Sequence, residues 1–273
     1  MEYNVIQDND IEILLNDLYE IYGYDFTDYS KASLKRRINR LFTLDRFLSF
    51  AEFRYRLKFD PSYLKRFVEQ ITVTVTEMFR DPLFYKALRE EVLPVLGTYP
   101  FIRIWHAGCS TGEEVYSMAI LLQEANLFHK SLLYATDINP EVLERARKGI
   151  FPLSHMKHYS ENYILAGGKK DFSSYYTASY DKVIFEESLS KKMIFSTHNL
   201  VSDRSFNEFQ LILCRNVLIY FDKDLQARVF DLFEESLENL GYLALGSKET
   251  LRFSTISSRF KQINKEKIWR KIA

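Results

Sequence analysis

One short stretch, residues 102–117, constrains the fold of this chain more than any other. It begins with an apolar run typical of a buried β-strand, enters a turn bounded by Gly108 and Gly112, and passes directly into a predicted helix. The two glycines let the backbone bend sharply and approach a ligand closely. Ser110 and Thr111 each precede a glutamate by three residues, so we expect a capping box at the helix start. The stretch predicts the strand–turn–helix unit of an α/β fold.

A second apolar run, residues 132–137, predicts the next strand and ends in Asp137. This acid follows Gly112 by 25 residues, about the spacing at which nucleotide-binding α/β domains place an acid on ribose hydroxyls. A helix is then expected to begin at Asn139-Pro140. The glycine turn matches neither Gly-x-Gly-x-x-Gly nor a phosphate loop ending in Gly-Lys-Ser/Thr, so pyrophosphate is not favoured. S-adenosylmethionine, which has adenosine but no phosphate, fits better. A tight turn without a ligand is the alternative.

Composition excludes several classes of protein. The chain has 273 residues, 47% of them hydrophobic, and a formal net charge of zero. It has no secretory signal pattern and no run of about 18 apolar residues, so we expect a cytoplasmic protein. Its two cysteines, Cys109 and Cys214, predict no disulfide framework. Cys-x-x-Cys and His-Glu-x-x-His spacings are absent from the sequence, which gives a built-in metal site no support.

The zero net charge hides an asymmetry in the first quarter of the chain. Residues 1–28 carry eight acids and no lysine or arginine, whereas residues 29–66 carry eleven basic residues and three acids. Five of these cations crowd one predicted helix: Lys31, Lys35, Arg36, Arg37 and Arg40. This helix could attract nucleic acid or an acidic protein surface. It could equally be a solvated face that the preceding acidic segment neutralises.

The order of predicted elements divides the chain into two domains. Helical periodicity in the first part predicts an all-α N-terminal domain at residues 1–78. Alternating strands and helices then predict an α/β domain with a parallel sheet at residues 79–273. Short antiparallel strands are expected as a β-rich insert at about residues 160–195. Near the end we expect a strand at 209–214, a helix from an Asp222 cap to Leu240, a strand at 242–246 and a closing strand pair at 260–272.

Five motifs in series identify a family. They are TEMFRD at 76–81, GCSTGEEVYS at 108–117, ATDI at 135–138, Asn199-Leu200, and CRNVLIYF at 214–221. Together and in this order they resemble the CheR-type chemotaxis receptor methyltransferases over nearly the whole chain. The resemblance implies a class I S-adenosylmethionine-dependent methyltransferase domain, Rossmann-like and with a mostly parallel seven-stranded sheet. It also implies an all-α N-terminal domain and a small antiparallel β-subdomain insert.

The activity that the resemblance implies is transfer of a methyl group to glutamate side chains of chemoreceptor cytoplasmic helices. The products would be glutamate methyl esters and S-adenosylhomocysteine. The methylation would serve sensory adaptation. The implied protein is a monomer that acts on an acidic protein surface, without a metal, nucleic acid or membrane insertion. Because a glutamate carboxylate is ionised at neutral pH, the transfer needs no strong general base and depends on positioning and desolvation.

The resemblance also implies roles for individual residues. Cofactor contacts would fall on Thr74, Thr76, Arg80, Gly108, Glu114, Asp137, Asn199, Leu200, Arg215 and Asn216. Arg80 could hold the incoming carboxylate by paired charge-assisted hydrogen bonds, and Tyr220 would lie beside the transferring methyl. Both are therefore expected to be catalytic. The basic helix with Lys31, Lys35, Arg36, Arg37 and Arg40 would contact acidic receptor helices.

Two departures from the family pattern occur near the glycine turn. Val115 stands where the family usually has proline, and His106 lies where many class I methyltransferases have an acid. Two other functions stay open. A non-catalytic S-adenosylmethionine-binding signalling adaptor would keep the fold without transfer. A nucleic-acid methyltransferase would use the basic helix, although the sequence around Asn216 lacks the Asp/Asn-Pro-Pro-Tyr/Phe motif common in amino-group methylases.

Overall fold

The computed structural model describes residues 6–22, 24, 26, 29, 31–71 and 76–272. The chain divides into two compact units. The first consists of Met1–Thr74 and Ile219–Arg228, and the second of Val75–Leu218 and Val229–Ala273. No helix within the described ranges has the length and apolar character needed to cross a membrane.

The first unit is mainly helical. Its helices are α1 (Asp8–Tyr22), α2 (Lys31–Leu44), α3 (Phe50–Phe59) and α4 (Pro61–Ile71). Each helix buries apolar side chains in one shared core, among them Leu14, Ile38, Phe53 and Phe67. This confirms the predicted all-α part of the chain, and α2 is the predicted basic helix.

The second unit is built on two sheets. In chain order its strands are β1 (Ile102–Ala107), β2 (Ser131–Asp137), β3 (Ile150–Pro152), β4 (Tyr176–Ser179), β5 (Lys182–Phe185), β6 (Met193–Thr197), β7 (Phe209–Cys214), β8 (Leu237–Leu245), β9 (Phe260–Gln262) and β10 (Ile268–Lys271). The large sheet has the order β6-β2-β1-β7-β8-β10-β9. Its first five strands are parallel, and β10 runs antiparallel to both of its neighbours. The predicted mostly parallel, seven-stranded sheet is confirmed.

Helices lie before and between the strands of the second unit. They are α5 (Pro82–Ala87), α6 (Leu93–Leu96) after a π-helical turn (Leu88–Val92), α7 (Glu113–Glu124), α8 (Pro140–Lys148), α9 (Met156–Leu165), α10 (Glu187–Ser190) and α11 (Lys223–Glu235). All six residues of β7 are buried, as expected for a central parallel strand with both faces covered. The strand predicted at 209–214 is confirmed.

The smaller sheet is antiparallel and has the order β3-β5-β4. The prediction of a small antiparallel sheet is confirmed. Its first strand begins at Ile150, and α9 lies between β3 and β4 in the chain.

The predicted end of the helix after Asp222 is wrong. Helix α11 ends at Glu235, and β8 begins at Leu237, whose backbone pairs with Phe209 of β7. The pairing register shifts between Phe209 and Leu211, so an irregular strand replaces the last predicted helical turn. Leu237 is buried, and Gly241 lies within β8 instead of following a helix.

Candidate functional site

The candidate site lies at the carboxyl edge of the large sheet in the second unit. Strand β1 is flanked by β2 on one side and by β7 on the other, so the connections from β1 and its neighbours diverge there. Ligands of open α/β sheets bind in the crevice at such a point. The predicted residues Asp137, Arg215 and Asn216 lie at or directly after the ends of β2 and β7.

The turn after β1 differs in detail from the prediction. Gly112, with φ 96°, is the N-cap of α7, and no side chain caps this helix. The predicted capping box is therefore wrong. Thr111 instead donates its hydroxyl to Glu113 Oε2 at 2.6 Å. Ser110 has φ 51°, and its buried hydroxyl has no hydrogen-bond partner among the described residues.

The two glycines of this turn are required by protein packing. A Cβ atom on Gly108, which has φ 79°, would lie 2.5 Å from Val217 Cγ2. A Cβ on Gly112 would lie 2.8 Å from the Cβ of Ala146 in α8. Contacts under 3 Å cannot be accommodated without movement, so both positions favour glycine even without a ligand. A cofactor contact at Gly108 stays a prediction.

Asp137 at the end of β2 holds the turn from the other side. Its Oδ2 accepts the backbone N–H of Ser110 at 2.9 Å, and its Oδ1 accepts that of Asn139 at 3.0 Å. Asn139 caps α8 as predicted, by accepting the N–H of Glu141. Burial raises the pKa of Asp137 above its ordinary value, although these backbone hydrogen bonds oppose the rise. Each carboxylate oxygen keeps a lone pair for a further donor, such as a hydroxyl.

Arg80 lies in a strained turn ahead of α5. Its neighbours Phe79 and Asp81 have φ values of 52° and 57°, in the left-handed region. Such backbone persists only where the surroundings hold it, and it clusters at functional sites. Here Ser117 Oγ accepts the N–H of Phe79 at 3.0 Å, and Arg215 Nη2 donates to the carbonyl of Arg80 at 3.0 Å. The turn therefore fixes the backbone that carries Arg80.

Arg215, the first residue after β7, makes this turn rigid. Its side chain is 3% exposed and forms an ion pair with Asp81 Oδ2 at 2.6 Å. The guanidinium lies 4.1 Å from the ring centroid of Phe84, a cation–π contact. Its Nη1 is 3.5 Å from Glu114 Oε2. The guanidinium thus joins the end of β7 to α5 and α7.

Glu114 is held from two sides. Its Oε1 lies 2.8 Å from His106 Nδ1 on β1, and its Oε2 faces Arg215. Burial raises the pKa of Glu114, but the His106 hydrogen bond and the Arg215 charge outweigh it and leave this pKa below its ordinary value. The side chain is therefore a carboxylate at neutral pH. The sequence marked His106 as a departure from the family but gave no sign of this contact.

Asn216, next to Arg215, also has left-handed backbone, with φ 62°. Its N–H donates to Glu249 Oε2 at 3.0 Å, and the N–H of Gly246 donates to the same oxygen at 2.6 Å. Asn216 Oδ1 is buried and has no partner within the described part of the chain. No motif in the sequence indicates Glu249, which lies after the end of β8.

The segment Asn199-Leu200 follows β6, beside the end of β2. The N–H of His198 donates to the carbonyl of Asp137 at 3.2 Å, which joins the two strand ends. Asn199 forms a local turn, in which its Oδ1 accepts the N–H of Val201 and its own N–H donates to Asp203 Oδ2. Asn199 and Leu200 are half-buried. Thr76 is also half-buried, and Thr74 lies outside the described residues.

In the first unit, the predicted substrate-facing cations have different surroundings. Lys31 pairs with Glu12 at 2.9 Å, and Lys35 pairs with Asp8 at 2.6 Å. Both acids belong to α1, so this acidic helix neutralises two of the five cations. These pairs line a groove of about 570 Å³ between α1 and α2.

The other three cations divide again. The Arg37 guanidinium lies 4.6 Å from the ring centroid of Tyr220 and donates to the carbonyl of Ile71. Arg36 and Arg40 are exposed, one turn apart on α2, and neither has an ion-pair or hydrogen-bond partner in the described ranges. They are therefore the cations of this helix most available to an acidic partner.

The chemistry of the sheet edge suits a cationic ligand with hydroxyl and ammonium donors. Asp137, Glu114 and the buried Oδ1 of Asn216 all offer acceptor oxygens. A polyanion would add negative charge beside two acids, whereas S-adenosylmethionine carries a net positive charge and ribose hydroxyls. No group of three or more His, Cys, Asp or Glu residues suited to a metal ion occurs among the residues that the structure describes.

Comparisons with known proteins agree with this chemistry. Residues 9–72 match the family model described as CheR methyltransferase, all-alpha domain, and residues 74–268 match CheR methyltransferase, SAM binding domain. The Pseudomonas putida protein Cher3, which carries a provisional methyltransferase name, is 49% identical over 97% of both chains. The chemotaxis protein methyltransferase of Listeria monocytogenes is 32% identical over 84% of this chain and 85% of its own. That of Salmonella typhimurium is 33% identical over 71% of this chain and 66% of its own.

Proposed function

The chain belongs to the CheR methyltransferase family, and we propose that it methylates glutamate side chains on the cytoplasmic helices of chemoreceptors. It is an S-adenosylmethionine-dependent methyltransferase of the chemotaxis type. The proposed products are glutamate methyl esters and S-adenosylhomocysteine. A cytoplasmic, monomeric enzyme without a metal is part of the same proposal.

The observation that carries the proposal is the set of acceptor oxygens at the end of β2, after β7 and in the first turn of α7. When bound, S-adenosylmethionine supplies an electrophilic methyl group on a sulfonium sulfur. Asp137 would accept the ribose hydroxyls, and Glu114 would pair with the ammonium of the methionine part. Asn216 Oδ1, which is buried and unpaired among the described residues, would gain a donor. Further contacts are proposed at Thr74, Thr76, Arg80, Gly108, Asn199, Leu200 and Arg215.

The glutamate substrate brings its own nucleophile. Its carboxylate is ionised at neutral pH, so the enzyme must orient and desolvate it and need not deprotonate it. Arg80 is proposed to bind this carboxylate through two parallel hydrogen bonds, since the strained turn fixes its backbone. Tyr220 is proposed to lie beside the transferred methyl, as the family resemblance implies. The ring of Tyr220 is supported by the Arg37 guanidinium.

An acidic receptor helix would bind α2 through charge complementarity. Arg36 and Arg40 support this proposal best, because both are exposed and lack a partner within the described ranges. Lys31 and Lys35 would have to exchange Glu12 and Asp8 for acids of the receptor. Arg37 supports Tyr220 and the carbonyl of Ile71, so its contribution to docking is expected to be indirect.

The test is transfer of labelled methyl from S-adenosylmethionine to receptor-containing membranes, followed by alkali and collection of volatile label. Carboxyl esters release methanol in alkali, whereas N-methyl groups do not. Volatile label that requires the enzyme would support the proposal. Label stable to alkali would refute glutamate methylation, and cofactor binding without transfer on any receptor would indicate an adaptor.

Two variants separate chemistry from binding in the same assay. Arg80→Lys keeps the positive charge but loses the planar, two-pronged donor. Tyr220→Phe removes only a hydroxyl. Each is expected to reduce ester formation about tenfold or more, the effect of losing an interaction made to the reacting groups. Calorimetric titration with S-adenosylhomocysteine should show retained binding, and unchanged turnover would contradict these roles.

A further inference from the structure

His106 is a buried side chain that the proposed function does not use. It lies on β1, in register with Ala135 of β2 and Leu213 of β7, and has no exposed surface. An imidazole at the centre of an apolar sheet is costly unless its nitrogens are hydrogen-bonded. Nδ1 lies 2.8 Å from Glu114 Oε1, whereas Nε2 is buried and has no partner in the part of the chain that the structure describes.

The partner of His106 determines where its protons lie. A carboxylate oxygen only accepts hydrogen bonds, so Nδ1 carries a proton and donates it to Glu114. The other oxygen of Glu114 faces Arg215 Nη1 at 3.5 Å. One carboxylate is thus oriented by two donors, one from β1 and one from the residue after β7.

We propose that His106 is a positioning residue, which orients the Glu114 carboxylate toward the cationic cofactor. The inference rests on the proposed function, in which Glu114 binds the cofactor ammonium. Loss of the Nδ1 donor would leave the carboxylate only the 3.5 Å contact to Arg215 among its described partners, so the carboxylate could turn away from the cofactor ammonium.

The other acids near the sheet edge have donors of their own. Glu113 binds Thr111, Asp137 binds Ser110 and Asn139, and Glu249 binds Asn216 and Gly246. Glu114 therefore depends on His106 and Arg215 for its orientation.

Two substitutions test the orienting role. His106→Asn can keep an N–H donor near the position of Nδ1, whereas His106→Ala removes the donor altogether. S-adenosylmethionine binding to the wild type and to each variant is measured by calorimetry. Thermal unfolding of each variant checks that it is folded.

His106→Asn should keep the affinity for S-adenosylmethionine within about threefold of the wild type, while a folded His106→Ala should lose about tenfold, the size expected for one charge-assisted hydrogen bond. Wild-type affinity in a folded His106→Ala, or the same loss of affinity in both variants, would overturn the inference. A wild type that does not bind S-adenosylmethionine would instead refute the proposed function.

Discussion

The carboxylate oxygens of Asp137 hold the backbone in place and are also the proposed acceptors for the cofactor. Its two carboxylate oxygens each accept a backbone N–H, one from the glycine turn and one from the start of α8. Asp137→Asn leaves one oxygen and directs an amide N–H₂ at a backbone donor. We expect cofactor affinity to fall about tenfold or more and the free energy of unfolding to fall by about 1–2 kcal/mol. Calorimetric titration and urea unfolding measure the two effects.

The control for this substitution is Asp171→Asn. Asp171 is exposed, and its carboxylate forms no hydrogen bond or ion pair within the described ranges. The same loss of one charge there should change neither cofactor affinity nor unfolding. Equal effects of the two substitutions would mean that net charge, and not the hydrogen bonds of Asp137, controls binding.

Single residues of the site were predictable from sequence to different degrees. Asp137 could be found because it ends a predicted strand at a known distance from the glycine turn. The contact between His106 and Glu114 could not, because it depends on how α7 lies against β1. Glu249 was missed for a similar reason, since the close approach of the loop after β8 to Asn216 is a property of the folded sheet.

At the scale of elements, sequence periodicity located the strands and helices better than their ends. The apolar run of β7 is unambiguous, but the run after Asp222 fits both a longer helix and the irregular start of β8. The segment forms a strand because Leu237 pairs with Phe209. These residues lie far apart in the chain, so the local sequence does not predict their contact. Similarly, Ser110 and Thr111 match the capping-box pattern but do not cap α7. The N-cap is Gly112, which has left-handed backbone and provides no side-chain cap.

Asp17 gives a prediction about the contact between α1 and α3. Its carboxylate binds Arg54, through Nη2 at 2.9 Å and through Nε, and Lys58 Nζ at 2.7 Å. The side chain is only 12% exposed. Asp17→Asn removes these charge-assisted bonds and should lower the free energy of unfolding by about 2 kcal/mol. Urea unfolding followed by far-ultraviolet circular dichroism measures it.

The pH dependence of this difference follows from the pKa of Asp17. The hydrogen bond from Arg54 lowers this pKa below the ordinary value of 3.8, even though burial opposes the shift. The stabilisation is therefore complete above pH 3.8 and is lost as the pH falls through the lower pKa of the folded state. The gap between wild type and Asp17→Asn should close in strong acid. Asp8→Asn is the matched control, because Asp8 also pairs with a cation but is 80% exposed, and it should have no measurable effect on unfolding.

At the scale of the whole molecule, opposite charges are segregated within one unit instead of being spread over the surface. The acidic segment of residues 1–28 includes α1, and the basic segment that follows includes α2. The net charge of zero therefore says little about the field near α2. That field depends on which cations α1 neutralises, and the ion pairs of Lys31 and Lys35 leave Arg36 and Arg40 as its exposed sources.

Salt should therefore weaken substrate binding, because it screens the charges of Arg36 and Arg40. At saturating S-adenosylmethionine, we expect the KM for receptor membranes to rise severalfold between about 0.05 M and 0.5 M salt, because screening lengths fall below the distance between exposed charges. Arg36→Ala with Arg40→Ala should raise the KM at low salt and remove most of this salt dependence. Initial rates of ester formation measure it, and kcat and cofactor affinity should stay unchanged.

The matched comparison is Lys31→Ala with Lys35→Ala, which removes the same charge from the same helix. Those lysines already form ion pairs with Glu12 and Asp8, so their loss leaves two unpaired acids on α1. We expect this double substitution to change the salt dependence of KM much less than loss of the two arginines. Equal effects of the two pairs would mean that the substrate responds to the total charge of α2. A KM that does not change with salt would mean that α2 does not bind an acidic surface, because exposed charges cannot attract a partner without being screened.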